Sequence, residues 1–299
     1  MSQLEPPLII VTGATGQLGG LIVKKLLAYH PAERIVATTR VPEQADELRA
    51  LGMQVRWADY EKTETLDEAF VGADQLLVVS SNARASGGDP VSQHQAVFAA
   101  AKKAGAKRIV FTSQMAASAS SAFPPMHDYA ASEALLEACG VPFVALRHGF
   151  YGTSAIQMMS EALISGELTT IQDGKVSWVA HSDLAEAAAL ILTGEAKFEG
   201  ATPPLTGPEA LDFSELTAIA SELQEKKVVH TILSDDEMKA PLAARGIPEP
   251  IINMVLGLYI GARNHEWSTV DPTLQKLLGR PLITMREQLT TAIVRKADE

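Results

Sequence analysis

The sequence predicts an α/β protein: a doubly wound parallel sheet with a smaller, mainly helical lobe. Three observations carry that expectation. An apolar strand runs into a glycine-rich turn near the start, five further strand-like runs alternate with helical ones up to about residue 150, and helical patterns dominate beyond Gly207. Strand–helix alternation with short connections implies a parallel sheet covered on both faces.

The first strand is Leu8–Val11, followed by Thr12-Gly13-Ala14-Thr15-Gly16-Gln17-Leu18-Gly19-Gly20 and the amphipathic run Leu21–Leu27. In that arrangement backbone N–H groups and a helix N-terminus cradle a pyrophosphate. Gly13 permits the tight turn, Gly16 lets the phosphate approach the backbone, and Gly19 lets the helix pack closely on the strand. Thr15, Gln17 and Leu18, within the same stretch, are expected among the cofactor-binding residues. A glycine triplet is a weak signal alone; its place between strand and helix gives it meaning.

Further strands are expected at Arg34–Thr39, Gln54–Trp57, Gln75–Val79, Arg108–Thr112 and Phe143–Leu146. Between them, Glu43–Leu51 reads as a helix ending at Gly52, and Thr65–Phe70 as one opening with the capping-box spacing Thr65 to Glu68. Val91–Ala104 ends at Gly105 and Met126–Cys139 at Gly140, both stop signals for a helix. Phe150–Ser165 reads as helical and Val176–Val179 as a short strand, and Ser182 or Asp183 caps an alanine-rich helix ending near Thr193. Later helices are expected at Asp212–Leu223, Asp235–Ala244, Pro248–Tyr259 and Pro272–Leu278. This divides the chain into a dinucleotide-binding domain at 1–150, rejoined by 176–206, and a substrate lobe at 151–175 and 207–299.

Bulk properties narrow the class. The 299 residues are 46% hydrophobic and 20% charged, ordinary for a soluble enzyme, and the formal net charge of -11 argues against direct binding to nucleic acid. A single cysteine, Cys139, excludes an intramolecular disulfide and fits a reducing compartment. No basic, apolar leader and no apolar run of membrane-spanning length is present. The expectation is a cytoplasmic monomer or homodimer with no membrane partner. No histidine, cysteine and carboxylate cluster has metal-ligand spacing, and no Gly-x-Ser-x-Gly elbow occurs. His94, His181 and His265 read as helix-end or surface histidines.

The second strand ends in Thr38-Thr39-Arg40. An acidic residue there would suit the ribose hydroxyls of NAD, whereas a guanidinium suits a 2′-phosphate through charge-assisted bonds. NADP(H) is the expected cofactor. Ser80-Ser81-Asn82 follows the fourth strand at the point where strand order should reverse, bordering the nicotinamide ribose, and Ser113 follows the fifth, within reach of the nicotinamide.

The spacing G-x-x-G-x-x-G, Asp59-Tyr60, Ala104-Gly105-Ala106-Lys107-Arg108-Ile109, Gly140-Val141-Pro142-Phe143 and Leu146-Arg147-His148-Gly149-Phe150-Tyr151 together resemble the NmrA-like family, an atypical branch of the short-chain dehydrogenases. The likeness continues through Asp183-Leu184-Ala185, Phe213-Ser214-Glu215-Leu216 and Gly246-Ile247-Pro248-Glu249-Pro250, and so covers nearly the whole chain. It implies a Rossmann-type, NADPH-binding fold whose members are reductases of quinones and dyes or redox-sensing regulators. It also implies that Asp59-Tyr60 contacts the adenine edge, although an Asp there equally suits a local turn.

Departures from the family pattern matter more than matches. Ordinary short-chain dehydrogenases pair a tyrosine proton donor with a lysine four residues later, but here Tyr129 is followed at that spacing by Glu133, a carboxylate expected to oppose phenolate formation. Tyr129 stands where the family often has histidine, and His148 where it usually has asparagine. Tyr129, His148 and Ser113 are therefore the candidate catalytic residues, with Tyr129 and His148 either proton donors or pocket wall. His127, Phe150, Tyr151 and Trp178 are candidates for the wall of a pocket for a flat aromatic substrate. Two functions fit: an NADPH-dependent oxidoreductase acting on a quinone-like or other electrophilic aromatic acceptor, or a non-catalytic NADP(H) sensor acting through a protein partner.

Overall fold

A computed structural model describes residues 5–297. Among them the strands are β1 (Ile9–Val11), β2 (Ile35–Thr39), β3 (Gln54–Trp57), β4 (Gln75–Val78), β5 (Arg108–Gln114), β6 (Phe143–His148), β7 (Glu167–Ile171), β8 (Gly200–Ala201) and β9 (Val229–Leu233). The helices are α1 (Gln17–Leu26), α2 (Asp46–Ala50), α3 (Glu64–Ala69), α4 (Pro90–Lys103), α5 (Pro125–Cys139), α6 (Gly152–Met158) and α7 (Ala162–Ser165). They continue with α8 (His181–Thr193), α9 (Phe213–Gln224), α10 (Asp235–Ala244), α11 (Glu249–Arg263), α12 (Thr273–Leu278) and α13 (Met285–Ala297). No helix among the described residues is long and apolar enough to cross a membrane.

The chain forms two compact units. The first comprises the stretch up to Gln114, Asp128–Arg147 and His181–Pro203, and the second Met115–His127, His148–Ala180 and the chain from Pro204. The first unit is built on a parallel sheet of order β3-β2-β1-β4-β5-β6-β8. Ile9 aligns with Ile35 on one side and with Gln75 on the other, so β1 lies between β2 and β4 and strand order reverses there. Both faces of β1 and β2 are buried throughout, which is why β1 reads as an unbroken apolar run and β2 as an apolar one up to Ala37. Helix α8 is tied to α1 by Lys25 and Glu186 at 2.7 Å, and Arg108 caps the far end of α8 by donating to the Ile191 carbonyl.

Two helix starts differ from expectation. Helix α3 begins one residue before Thr65, whose hydroxyl donates to the Lys62 carbonyl and accepts from the Asp59 N–H, so no Thr65–Glu68 capping box forms. Helix α8 begins at His181, which puts Ser182 and Asp183 inside its first turn, with Asp183 buried.

The second unit departs further. The expected helix Phe150–Ser165 is two, α6 and α7, and the chain leaves α7 through Gly166 at φ +84° into β7. β7 pairs in parallel with β9, and neither reads as a strand from sequence. Val176–Val179 contributes only isolated bridges, to Leu211 and Tyr151. Helix α13 is additional; Thr284 and Glu287 cap its start reciprocally, a Thr-x-x-Glu signal present in the sequence. Trp267 is fully buried at the centre of this unit, with its ring 4.7 Å from Phe150 and 6.1 Å from Phe123. Its indole lies so close to Gly261 of α11 that an added Cβ would overlap it.

Candidate active site

The glycine turn has the form of an anion cradle. Gly13 adopts φ +59°, the left-handed region that glycine enters without strain. The Gly16 N–H closes the turn on the Gly13 carbonyl at 2.9 Å, and Gly16 is the N-cap of α1, offering no side-chain acceptor to its first N–H groups. The first turn also carries no acidic residue, so nothing local offsets the positive end of the helix dipole. A Cβ at Gly19 would overlap the Gly13 carbonyl oxygen. The close approach that Gly19 permits is therefore between helix and turn. These features fit the pyrophosphate of a dinucleotide.

Around the cradle, several predicted residues are committed to one another. Thr15 Oγ1 lies 3.0 Å from Thr39 Oγ1, tying the turn to the end of β2. Arg40, the next residue, is exposed and has no partner among the described residues. One carboxylate oxygen of Asp59 accepts from the Glu61 N–H at 3.0 Å, the local turn that the sequence also allowed. Tyr60 is turned inward. The Val79 N–H donates to Thr12 Oγ1, Thr12 lies 2.6 Å from the Tyr60 hydroxyl, and that hydroxyl donates to the Val79 carbonyl. This closed cycle braces the ends of β1 and β4, and burial pushes the phenol far above its ordinary value.

At the reversal point, Thr112 Oγ1 accepts from the Ser80 N–H at 2.8 Å and donates to Ser80 Oγ at 3.1 Å. Ser80 Oγ lies 3.3 Å from the Tyr129 hydroxyl. The Ser81 hydroxyl donates to Gln93 and accepts from the Ala83 N–H, so it serves its own loop. The Asn82 carbonyl accepts from Ala85 N.

Helix α5 meets these strand ends through successive side chains. Ser113 Oγ donates to Glu133 Oε1 at 2.6 Å, and Arg147 grips the same carboxylate through Nε at 3.0 Å and Nη2 at 2.6 Å. The Glu133 bond holds the Arg147 guanidinium above its ordinary value, with burial opposing it. Glu133 thus faces Arg147 and is not the main influence on Tyr129. Burial is what raises the Tyr129 hydroxyl; the Ser80 bond opposes it and Asp128 adds to it. Neither the Glu133–Arg147 pair nor its hold on Ser113 was anticipated, because the partners meet only once the sheet has formed.

In the second unit, His148 is wholly buried, its ring 6.3 Å from that of Tyr151, and its carbonyl accepts from the Met115 N–H. Trp178 is a core residue, 2% exposed, donating its indole N–H to the Leu211 carbonyl. Phe150 and Tyr151 are half-buried, while His127 is exposed and engages the Ser121 carbonyl at 2.8 Å.

A family model described as NAD(P)H-binding matches residues 13–194, more than half of the chain and including the whole cradle. The chain belongs to this NAD(P)H-binding family. Quinone oxidoreductase 2 of Escherichia coli is 33% identical over 284 residues, covering 95% of this chain and 98% of its own. The crystal structure of the NADPH-dependent quinone oxidoreductase from that organism, complexed with NADPH, matches with a TM-score of 0.86 over 95% of this chain and 99% of the other. Citrobacter sp. triphenylmethane reductase complexed with NADP(H) is 35% identical, with a TM-score of 0.84 over 95% and 99% of the two chains. An NAD(P)H azoreductase of Xenophilus azovorans is 28% identical over 282 residues, 94% of this chain and 96% of its own. The protein is an NAD(P)H-dependent oxidoreductase with the NmrA-like, Rossmann-type architecture.

Two histidines of the first unit, expected at helix ends or on the surface, are instead buried: His94 lies inside α4 and His181 opens α8. His94 is 1% exposed and His181 8%, and burial lowers each from 6.5 to about 4, with Asp128 and Asp89 opposing the shift at His94. As pH falls below 6.5 the unfolded chain takes up these protons first, so stability is full above that pH and declines until about pH 4. Each histidine is expected to cost about 2 kcal/mol between pH 7 and 5, before most carboxylates titrate. Urea unfolding at pH 7, 6 and 5 measures this; a flat profile would contradict the neutral, buried state of both rings.

Proposed function

We propose that the protein transfers hydride from NADPH to a quinone-like or other electrophilic aromatic acceptor. The observation that carries the reading is the proton inventory at the end of β5. Ser113 has its one proton committed to the Glu133 carboxylate that Arg147 grips, so toward a bound ring it acts only as an acceptor, suited to a carboxamide N–H. Tyr129 is held neutral by burial and has no lysine to activate it. A site with no activated acid suits an acceptor that needs none at the moment of transfer.

When bound, NADPH supplies the hydride. A quinone that accepts it becomes a hydroquinone anion, which takes its one proton from water. The protein's own residues then have two tasks: Gly13–Gly19, Arg40 and Ser113 hold the cofactor, and Phe150 and Tyr151 offer a half-buried aromatic surface to a flat acceptor. Arg40 favours NADPH over NADH. The names of the quinone, triphenylmethane and azo reductase relatives support an aromatic acceptor.

The test is steady-state NADPH oxidation with a panel of small quinones and dyes, comparing wild type, Tyr129→Phe and His148→Ala. A positioned general acid contributes about 10²–10⁴-fold. Tyr129→Phe is expected to fall well short of that, with most of the change in KM. A thousand-fold fall in kcat for Tyr129→Phe would restore the conventional tyrosine-acid mechanism, and a similar fall confined to His148→Ala would make His148 the acid. Tight NADPH binding with no acceptor reduced would favour a sensor.

A further inference from the structure

Between α4 and α5 lies a hydrogen-bonded chain that the chemistry above does not use. His94 is buried, its ring set edge-on to Phe111 at 5.0 Å and stacked near Phe98 at 6.2 Å. The Ser81 N–H points at its Nε2 at 2.8 Å, and its Nδ1 lies 2.8 Å from Ser132 Oγ. Ser132 in turn donates its proton to the Asp128 carbonyl at 2.6 Å. Each link fixes the next. A backbone N–H can only donate, so Nε2 must carry a lone pair and the ring proton sits on Nδ1. Ser132 spends its own proton on Asp128, which leaves its oxygen to accept from Nδ1. Only one tautomer of the neutral ring satisfies every partner. An imidazolium would set a proton against the Ser81 N–H.

The chain ends on a segment that matters. Ser81 lies between Ser80 and Asn82 at the reversal point, and α5 holds the same segment once more, through Tyr129 on Ser80, while Asp128 pairs with both Nε and Nη2 of Arg84, two residues beyond it. We propose that His94 is a positioning residue for the cofactor, a neutral Nδ1–H imidazole strut that fixes the Ser80–Asn82 backbone against α5. This rests on the reading that the segment borders bound NADPH.

Two substitutions separate strut from filler. In His94→Gln the side-chain carbonyl reaches the Nε2 position and accepts the Ser81 N–H. In His94→Asn the shorter side chain reaches only the Nδ1 position and leaves that N–H without its acceptor. His94→Asn is expected to raise the Kd for NADPH about tenfold, with KM for NADPH rising more than kcat falls, and His94→Gln to recover most of that affinity. Equal weakening in both variants, or none in either, overturns the positioning role while leaving the oxidoreductase reading intact. Wild type enriched in ¹⁵N-histidine gives a measurement that needs no folded variant. A resonance pair with protonated Nδ1 and bare Nε2 is expected for His94 at pH 7. An Nε2–H tautomer or a charged ring overturns the proposal outright, and failure of wild type to bind NADPH overturns it together with the cofactor assignment.

Discussion

Gly16→Val is expected to abolish NADPH binding, raising Kd by more than about a hundredfold, because the side chain would occupy the space where the pyrophosphate meets the start of α1. Gly16 has an extended backbone, φ -78° and ψ 170°, which valine adopts without strain. Its Cβ would stand 3.2 Å from the Gly13 carbonyl oxygen, a tight contact that the turn must relax by a few tenths of an ångström. A modest stability loss is therefore expected alongside the binding loss, and thermal unfolding separates the two. A folded Gly16→Val variant that still bound NADPH in a calorimetric titration would place the phosphates elsewhere.

Arg40→Asp is expected to weaken NADPH binding by about ten- to a hundredfold, roughly 1.5–3 kcal/mol, while NADH binding changes little. Arg40 is exposed and holds no ion pair among the described residues, so its loss should leave stability within about 0.5 kcal/mol. The pair of titrations into wild type and variant isolates the 2′-phosphate contribution. Equal wild-type affinities for the two cofactors would remove the basis for assigning Arg40 to that phosphate.

The first unit was legible because its central strands are buried on both faces and its helices are closed by glycines. β1 is apolar throughout and β2 and β4 are largely so, and Gly52, Gly105 and Gly140, which adopt positive φ, follow the helices they terminate. The second unit was less so. β9 is Val229-His230-Thr231-Ile232-Leu233 with no fully buried residue, and β7 is Glu167-Leu168-Thr169-Thr170-Ile171, so neither carries the apolar signature of a central strand. Within the site, the glycine turn and Arg40 declare themselves locally. What the side chains of Tyr60, Ser113 and His94 do is decided by partners 19 to 48 residues away, at Val79, Glu133, Ser132 and Thr12. No spacing rule connects such pairs before the sheet brings them together. Trp267 was overlooked for the same reason: its burial comes from Gly261 and from Phe123 and Phe150, supplied by separate parts of the chain.

The central claim is that this NAD(P)H-binding protein passes a hydride directly to an aromatic acceptor. An anaerobic single-turnover experiment tests it most directly: protein loaded with one equivalent of NADPH is mixed with a small quinone and followed by cofactor absorbance and product analysis. The account predicts one hydroquinone formed per NADPH consumed, slowed when the transferred hydrogen is replaced by deuterium and unaffected in yield by Tyr129→Phe. NADPH that stays bound and unoxidised in the presence of every quinone and dye tried would contradict it.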